Sequence, residues 1–144
     1  MTDWRLQPRT MSLNERERLV QQLMPILCSR SELVFAYLHG MFLEGEPFRD
    51  VDLAVYVTWL PERKLSFRQY ELDLSVELTL PRRVPVDVRV LNDAPMGFRH
   101  HVFNGGLLLV KDVELLDDVR ARTWDDYFGF APFARRYFRE AIGE

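Results

Sequence analysis

Asp50 and Asp52 are the residues most suited to chemistry in this chain. They open the run Asp50-Val51-Asp52-Leu53-Ala54-Val55-Tyr56-Val57, whose apolar residues alternate as in a strand. Val51, Leu53 and Val55 fall on one face; Asp50, Asp52, Ala54 and Tyr56 fall on the other. Two carboxylates two residues apart on a strand point the same way, and their charges repel. Solvent or a cation must offset that repulsion, and a hard divalent cation takes oxygen ligands of this kind. The bland alternative is a solvated pair at a loop-to-strand junction. Against it, Asp52 leads straight into an apolar strand. A third carboxylate, Asp87, lies inside a later strand, where Val84, Val86, Val88 and Val90 alternate with Asp87 and Arg89. Taken alone, it is equally a surface Asp on an edge strand.

Other candidates are weaker. Gly40 ends the preceding apolar run, and a residue without Cβ lets backbone N–H groups approach an anion. Met41 offers a phosphate no donor, so packing is its expected role. Arg49 and Arg89 are placed to reach a phosphate or base, although each more commonly serves as an ion-pair partner. His39 reads as structural. His100 and His101 have no carboxylate or Cys at ligand spacing, which argues against zinc. The D-x-D lacks the further ligands and the mid-loop Gly of an EF-hand. Gly105-Gly106 reads as a turn before a strand.

The elements that must hold these residues follow from periodicity and punctuation. Residues 1–11 read as a loose leader. Ser12-Leu13-Asn14-Glu15 has capping-box form and opens a helix to about Cys28, with Leu19, Val20, Leu23, Ile26 and Leu27 on its buried face. Pro25 should kink it or end it early. Strands follow at Leu33–Leu38 and Val51–Thr58, joined by a glycine-containing loop. Ser66-Phe67-Arg68-Gln69 repeats the capping form and starts a helix to about Leu80, with Phe67, Tyr70, Leu74, Val76 and Leu78 as its apolar face. A strand at Pro85–Leu91, a short helix from Pro95 to Phe103 with Pro near its first turn, and a short buried strand at Leu107–Val110 complete the core. From Val113 onward the chain reads as helix, with an interruption near Gly129–Pro132. This order makes an α/β (α+β) mixed β-sheet packed by helices, in a single domain of residues 1–144 with 113–144 as a C-terminal helical segment.

Composition excludes several classes. The chain has 144 residues, is 47% hydrophobic and 28% charged, and carries a net charge of −3, which is globular and far from disordered. No basic arm or stripe stands out, so direct nucleic-acid binding is not expected. The single Cys28 makes no internal disulfide, fitting a reducing compartment. No apolar h-region or run of membrane-spanning length is present, and a cytoplasmic protein is expected.

Gly40-Met41 followed by Asp50-Val51-Asp52 and Leu-Ala-Val resembles the glycine–serine, D-x-D signature of the nucleotidyltransferase superfamily, and within it the minimal MntA-like antitoxins. The likeness extends from about Leu33 to Asp112, through Pro85–Leu91 and the run Asn92-Asp93-Ala94-Pro95 to Lys111-Asp112. It implies that Asp50, Asp52 and Asp87 converge on adjacent strands as catalytic and metal-binding residues. In that arrangement they hold Mg²⁺ on the phosphates of ATP, and Asp87 serves as general base. It also implies that Gly40, Met41 and Arg49 line the nucleotide. The implied activity is transfer of AMP from ATP to a tyrosine hydroxyl of a HEPN-domain, HepT-like toxin, which neutralises that toxin. The chain departs from the family at Met41, where Ser is usual, and in a short gap to the first Asp. That departure keeps open an impaired enzyme that neutralises its toxin by binding alone. Transfer to a small molecule such as an aminoglycoside is a third reading. Such enzymes carry a further helical domain, for which this chain has no room. Seven aromatics between Trp124 and Phe138, interspersed with Arg135 and Arg136, exceed what one buried face needs, and part of that surface is expected to dock the partner.

Overall fold

The computed structural model describes residues 3–58 and 66–126. Ser12 caps the first helix, α1 (Leu13–Ser29), with a complete capping box. The Glu15 N–H donates to Ser12 Oγ at 3.2 Å, and the Ser12 N–H donates to Glu15 Oε1 at 3.1 Å. The helix runs through Pro25 to Ser29 and does not end early. Leu23 and Leu27, on either side of the proline and both wholly buried, hold that last turn against the sheet.

The sheet has the order β3-β2-β1-β4, from β1 (Leu33–His39), β2 (Val51–Val57), β3 (Val86–Val90) and β4 (Gly106–Val110). β1 is antiparallel to β2 and β4; β2 and β3 are parallel. Both faces are covered. Leu38, Leu53, Val55 and Val88 pack under α1 and α3 (Phe67–Thr79), while Phe35, Tyr37, Ala54 and Tyr56 pack with Phe103 of α4 (Met96–Phe103) and with Leu116 and Val119. Residues 113–126 are helical and are called α5. Ala54 and Tyr56 thus serve a second core, and only the start of β2 leaves its polar face open. β4 is an end strand rather than a buried one: Leu109 is buried but Leu107 is 47% exposed.

α3 departs from its expected face. Tyr70, Leu74 and Leu78 are buried, but Val76 is 53% exposed beside an exposed Leu72 and Leu80. Val76 lies about 200° round the helix from Leu74, so its apolar character does not match the buried stripe. The N-terminus has only the Ser half of a capping box: Ser66 Oγ accepts from the Gln69 N–H, while the Gln69 amide donates to Asp73. A third face of α3 does something else. Thr79, Ser75 and Glu71, four residues apart, accept the outward N–H groups of Val86, Val88 and Val90 at 2.9, 2.9 and 2.8 Å. These side chains satisfy the donors that an edge strand would otherwise leave unpaired.

The loop between β1 and β2 carries the short helix α2 (Met41–Glu44), closed by Gly45 in the left-handed region, φ +83°. Residues 3–12 strap this loop rather than hanging loose. Arg9 and Phe48 exchange two backbone hydrogen bonds, at 2.7 and 2.9 Å, and the Arg9 guanidinium donates to the Arg49 carbonyl. Arg16, on the same helical stripe as Leu19, Leu23 and Leu27, is buried. It donates to the carbonyls of Met11, Phe42 and Glu46 and lies over the rings of Phe42 and Phe48. Carbonyl acceptors and two ring faces offset the cost of burying that charge. Pro95 is the N-cap of α4, one position before the first turn.

Candidate active site

Asp52 and Asp87 are register partners across the parallel β2–β3 pair, so their side chains stand side by side on one face. Asp50 precedes β2, where the Val51 N–H donates to the Pro85 carbonyl at 2.8 Å and ties the two strand starts together. Each of the three offers a carboxylate oxygen, and these oxygens all lie within 4.8 Å of one another. In an octahedral Mg²⁺ site with ligands at about 2.0–2.1 Å, opposite oxygens are about 4.2 Å apart, so small rotations bring this set into range. The donor set is all-oxygen and hard, which suits Mg²⁺ and not a thiophilic metal.

Electrostatics favour a cation. Burial, then the charges of Asp50 and Asp87, push Asp52 up to about 6. Burial and then Asp87 raise Asp50 as well. Among the described residues the ion pair made to this cluster is Arg89 Nε to Asp87 Oδ2, 3.6 Å apart, between two largely open side chains. Such a pair screens the cluster weakly.

Gly40 closes the β1 side. Its φ is +80°, and a Cβ there would sit 2.3 Å from Asp52 Oδ2. The carboxylate occupies the space that any other residue would fill. His39, the register partner of Asp52 on β1, is buried, with its ring edge-on to Phe98 and His101 at 5.5 Å each. Burial first, then His101, pushes it down to about 4, so it is a neutral wall at physiological pH.

The remaining candidates divide. Met41 follows Gly40 but is 57% exposed, so it is not held by packing as expected. Arg49 is exposed and is fixed through its carbonyl, not drawn in by its guanidinium. Arg89 takes the ion-pair role. His100 and His101 stand on α4 outside the carboxylate cluster. Sequence reading missed Arg16, although its place on the Leu19–Leu23–Leu27 stripe was a usable signal, and missed the Glu71–Ser75–Thr79 row. Of the C-terminal aromatics only Trp124 falls among the described residues, packed against the second core; the rest, with the Gly129–Pro132 interruption, lie outside them. No described helix is long and apolar enough to cross a membrane.

Metal should therefore stabilise the fold, and in a pH-dependent way. Asp52 has a higher pKa folded than unfolded, so its carboxylate costs stability above about pH 6, and that cost vanishes below about pH 4. Mg²⁺ at a hundred times its Kd should add about 2.7 kcal/mol, a rise in Tm of about 5–10 °C at pH 8. The rise should shrink towards pH 5, where protons compete for the same oxygens. Thermal melts with and without Mg²⁺ at fixed ionic strength measure this, and a pH-independent rise would place the ion elsewhere.

The sequence profile of the family described as "Polymerase beta, Nucleotidyltransferase" matches residues 21–114. The fold is similar to a chain in the structure of tri-AMPylated Shewanella oneidensis HEPN toxin in complex with MNT antitoxin. The TM-score is 0.64 at 17% identity, over 88% of this chain and 98% of that one. It is similar to a chain of the toxin–antitoxin MntA–HepT, with TM-score 0.63, 16% identity and the same coverages. It is also similar to a chain of a toxin–antitoxin structure with AMP-PNP, at TM-score 0.63 and 18% identity, again over 88% and 98%. No curated protein matches the chain.

Proposed function

The chain belongs to the polymerase beta nucleotidyltransferase family, and from that premise we propose that it is an MntA-like antitoxin. It moves AMP from ATP to a tyrosine hydroxyl of a HEPN-type, HepT-like toxin and silences it. The observation that carries this reading is the carboxylate trio of Asp50, Asp52 and Asp87 on adjacent strands, with Gly40 pressed against Asp52. The fold's similarity to chains of AMPylated and AMP-PNP-containing toxin–antitoxin structures supports the choice of donor and acceptor.

Asp50 and Asp52, with Asp87, would hold Mg²⁺, which neutralises phosphate charge and aligns the displacement when bound. The chain's own residues do the rest. Gly40 leaves room for the Asp52 carboxylate to stand at the end of β1, and the strap from Arg9 and Arg16 fixes the loop that follows. Asp87 takes the proton of the incoming hydroxyl. The hydroxyl oxygen bonds to the α-phosphorus, and the bond from that phosphorus to the bridging oxygen breaks. Pyrophosphate leaves with the electron pair. Arg49, exposed at the loop's end, contributes at most a peripheral contact to the nucleotide. The reading places the protein in the cytoplasm, where ATP and Mg²⁺ are at hand.

Purified protein, Mg²⁺ and α-labelled ATP should label a cognate HEPN-type toxin on tyrosine. No label, together with protection of cells by the Asp52→Asn variant, would instead establish neutralisation by binding alone. Met41 favours weighing that second reading, since a thioether gives a phosphate no hydrogen bond. Met41 is exposed, so Met41→Ser disturbs no packing. A hydrogen bond to a charged group is worth about 1.5–3 kcal/mol, and Met41→Ser should accelerate transfer about ten- to hundredfold.

A further inference from the structure

The carboxylate trio stands on two strand starts that its own charges press apart. Asp50 lies outside the ladder, one residue before β2, and has no register partner on β3. The Val51 N–H bond to the Pro85 carbonyl opposes the repulsion from within the sheet. Arg9 opposes it from outside. Its guanidinium donates to the Arg49 carbonyl at 2.9 Å, one residue before Asp50, and reaches the Arg83 carbonyl, shortly before β3, at 3.4 Å. It also donates to the carbonyls of Trp4 and Gln7 in its own segment. We propose that Arg9 is a positioning residue: it sets the separation of the β2 and β3 starts, and through it the metal affinity of Asp50, Asp52 and Asp87. The inference rests on the transfer reaction proposed above and adds what holds its metal site to size.

The chemistry of the clamp suits that role. A guanidinium carries five donors in a rigid planar fork, so it holds carbonyls of several segments at a fixed spacing, which an ammonium on a flexible stem does not. The acceptors are neutral carbonyls. Arg9 therefore draws the strand starts together without taking a carboxylate oxygen from the cation, whereas Arg89 sits on Asp87 itself. The clamp is also anchored. Arg9 and Phe48 exchange backbone hydrogen bonds at 2.7 and 2.9 Å, and the Trp4 ring lies 5.7 Å from the Arg9 guanidinium and 5.5 Å from that of Arg83. Arg83 needs such support, because its φ of +56° is costly for a residue with a Cβ and persists only where surrounding contacts impose it. The turn that leads into β3, and so towards Asp87, is thus held in place by Arg9 and Trp4.

The test uses the full chain, Mn²⁺ as an oxygen-seeking probe read by electron paramagnetic resonance, and hydrogen exchange of the metal-free protein. Arg9→Ala should weaken Mn²⁺ binding about tenfold and speed exchange of the Val51 N–H about tenfold relative to that of Val55, deeper in the same strand. Arg9→Lys keeps the charge without the fork and should fall within about threefold of Arg9→Ala. Leu27→Ala, in the last turn of α1, is the control: it should lower Tm yet leave Mn²⁺ affinity and the Val51-to-Val55 ratio unchanged. In transfer assays Arg9→Ala should need about tenfold more Mg²⁺ for half its maximal rate while keeping that maximum within about twofold. Native Mn²⁺ affinity in Arg9→Ala would overturn the proposal, and so would full rescue by Arg9→Lys. An equal loss of affinity in Leu27→Ala would reduce the effect to stability and overturn it too. Should Arg9→Ala fold poorly, Trp4→Leu removes the ring beside the fork and should show the same changes in smaller measure; native affinity there overturns the proposal. A wild-type chain that binds Mn²⁺ but transfers nothing counts separately, against the transfer reaction, and the Mn²⁺ and exchange results still decide the role of Arg9.

Discussion

Asp52→Asn should abolish adenylyl transfer, by at least about a thousandfold, while making the metal-free protein more stable. The two effects share one cause. Asp52 is the innermost carboxylate of the trio, flanked by Asp50 in sequence and Asp87 across the strand pair. An amide there keeps the shape but removes a charge that a bound cation would need. Losing several kcal/mol of metal-derived stabilisation is, at about 1.4 kcal/mol per tenfold, a loss of three decades or more. Without metal the same charge is a burden, because burial and two like charges lift Asp52 to about 6. After discounting for its partial exposure to solvent, relief of that burden is worth about 1 kcal/mol, or ~3 °C in Tm. The gain should be present above about pH 6 and gone below about pH 4, where the wild-type carboxyl is protonated in both states. Transfer assays paired with melts across that range check both halves. Near-wild-type transfer by Asp52→Asn would remove the trio from the chemistry.

Gly40→Ala should be nearly as severe, for steric rather than electrostatic reasons. The backbone at φ +80°, ψ −164° lies in a region essentially reserved for glycine, so an alanine there is strained by about 1–3 kcal/mol. Its Cβ would also fall 2.3 Å from Asp52 Oδ2, so either the loop or the carboxylate must move. We expect a fall in Tm of about 3–10 °C and a loss of transfer of about a hundredfold or more, with the Mg²⁺-induced rise in Tm largely lost. Gly105→Ala is the control. Its Cβ would meet the Leu38 carbonyl at 2.4 Å, so it should destabilise while leaving the Mg²⁺ response of the surviving fold intact.

Much of this site is legible in the chain because strand alternation is rigid. Once Asp52 heads an apolar strand and Asp87 sits among valines, each must share its face with its strand's non-core residues. What alternation cannot supply is the neighbour. That β2 and β3 are adjacent, parallel and paired Asp52 to Asp87 depends on the crossover through α3, and came from the family resemblance. Where local pattern misleads, the reason is also local. Val76 is apolar but off the buried stripe, Pro25 is overruled by the leucines beside it, and residues 3–11 look featureless because Arg9 bonds to backbone groups of a loop distant in sequence. Met41 looked like packing because a methionine beside a strand end commonly packs. Here the turn of α2 carries it outward.

The row of Thr79, Ser75 and Glu71 along the edge of β3 also decides how the protein fails. Val86, Val88 and Val90 make β3 a short, β-branched, apolar strand of the kind that adds readily to another of its sort. While α3 is docked, its side chains occupy every second amide of that strand, and an incoming strand finds no donors. Any event that lifts α3 away, such as cleavage in the segment before it or loss of Leu74 and Leu78 from the core, exposes a valine-rich template with its hydrogen bonds unmade. Damage to this helix should therefore show itself first as self-association and lost solubility, before the carboxylates on the other face of the sheet register any change.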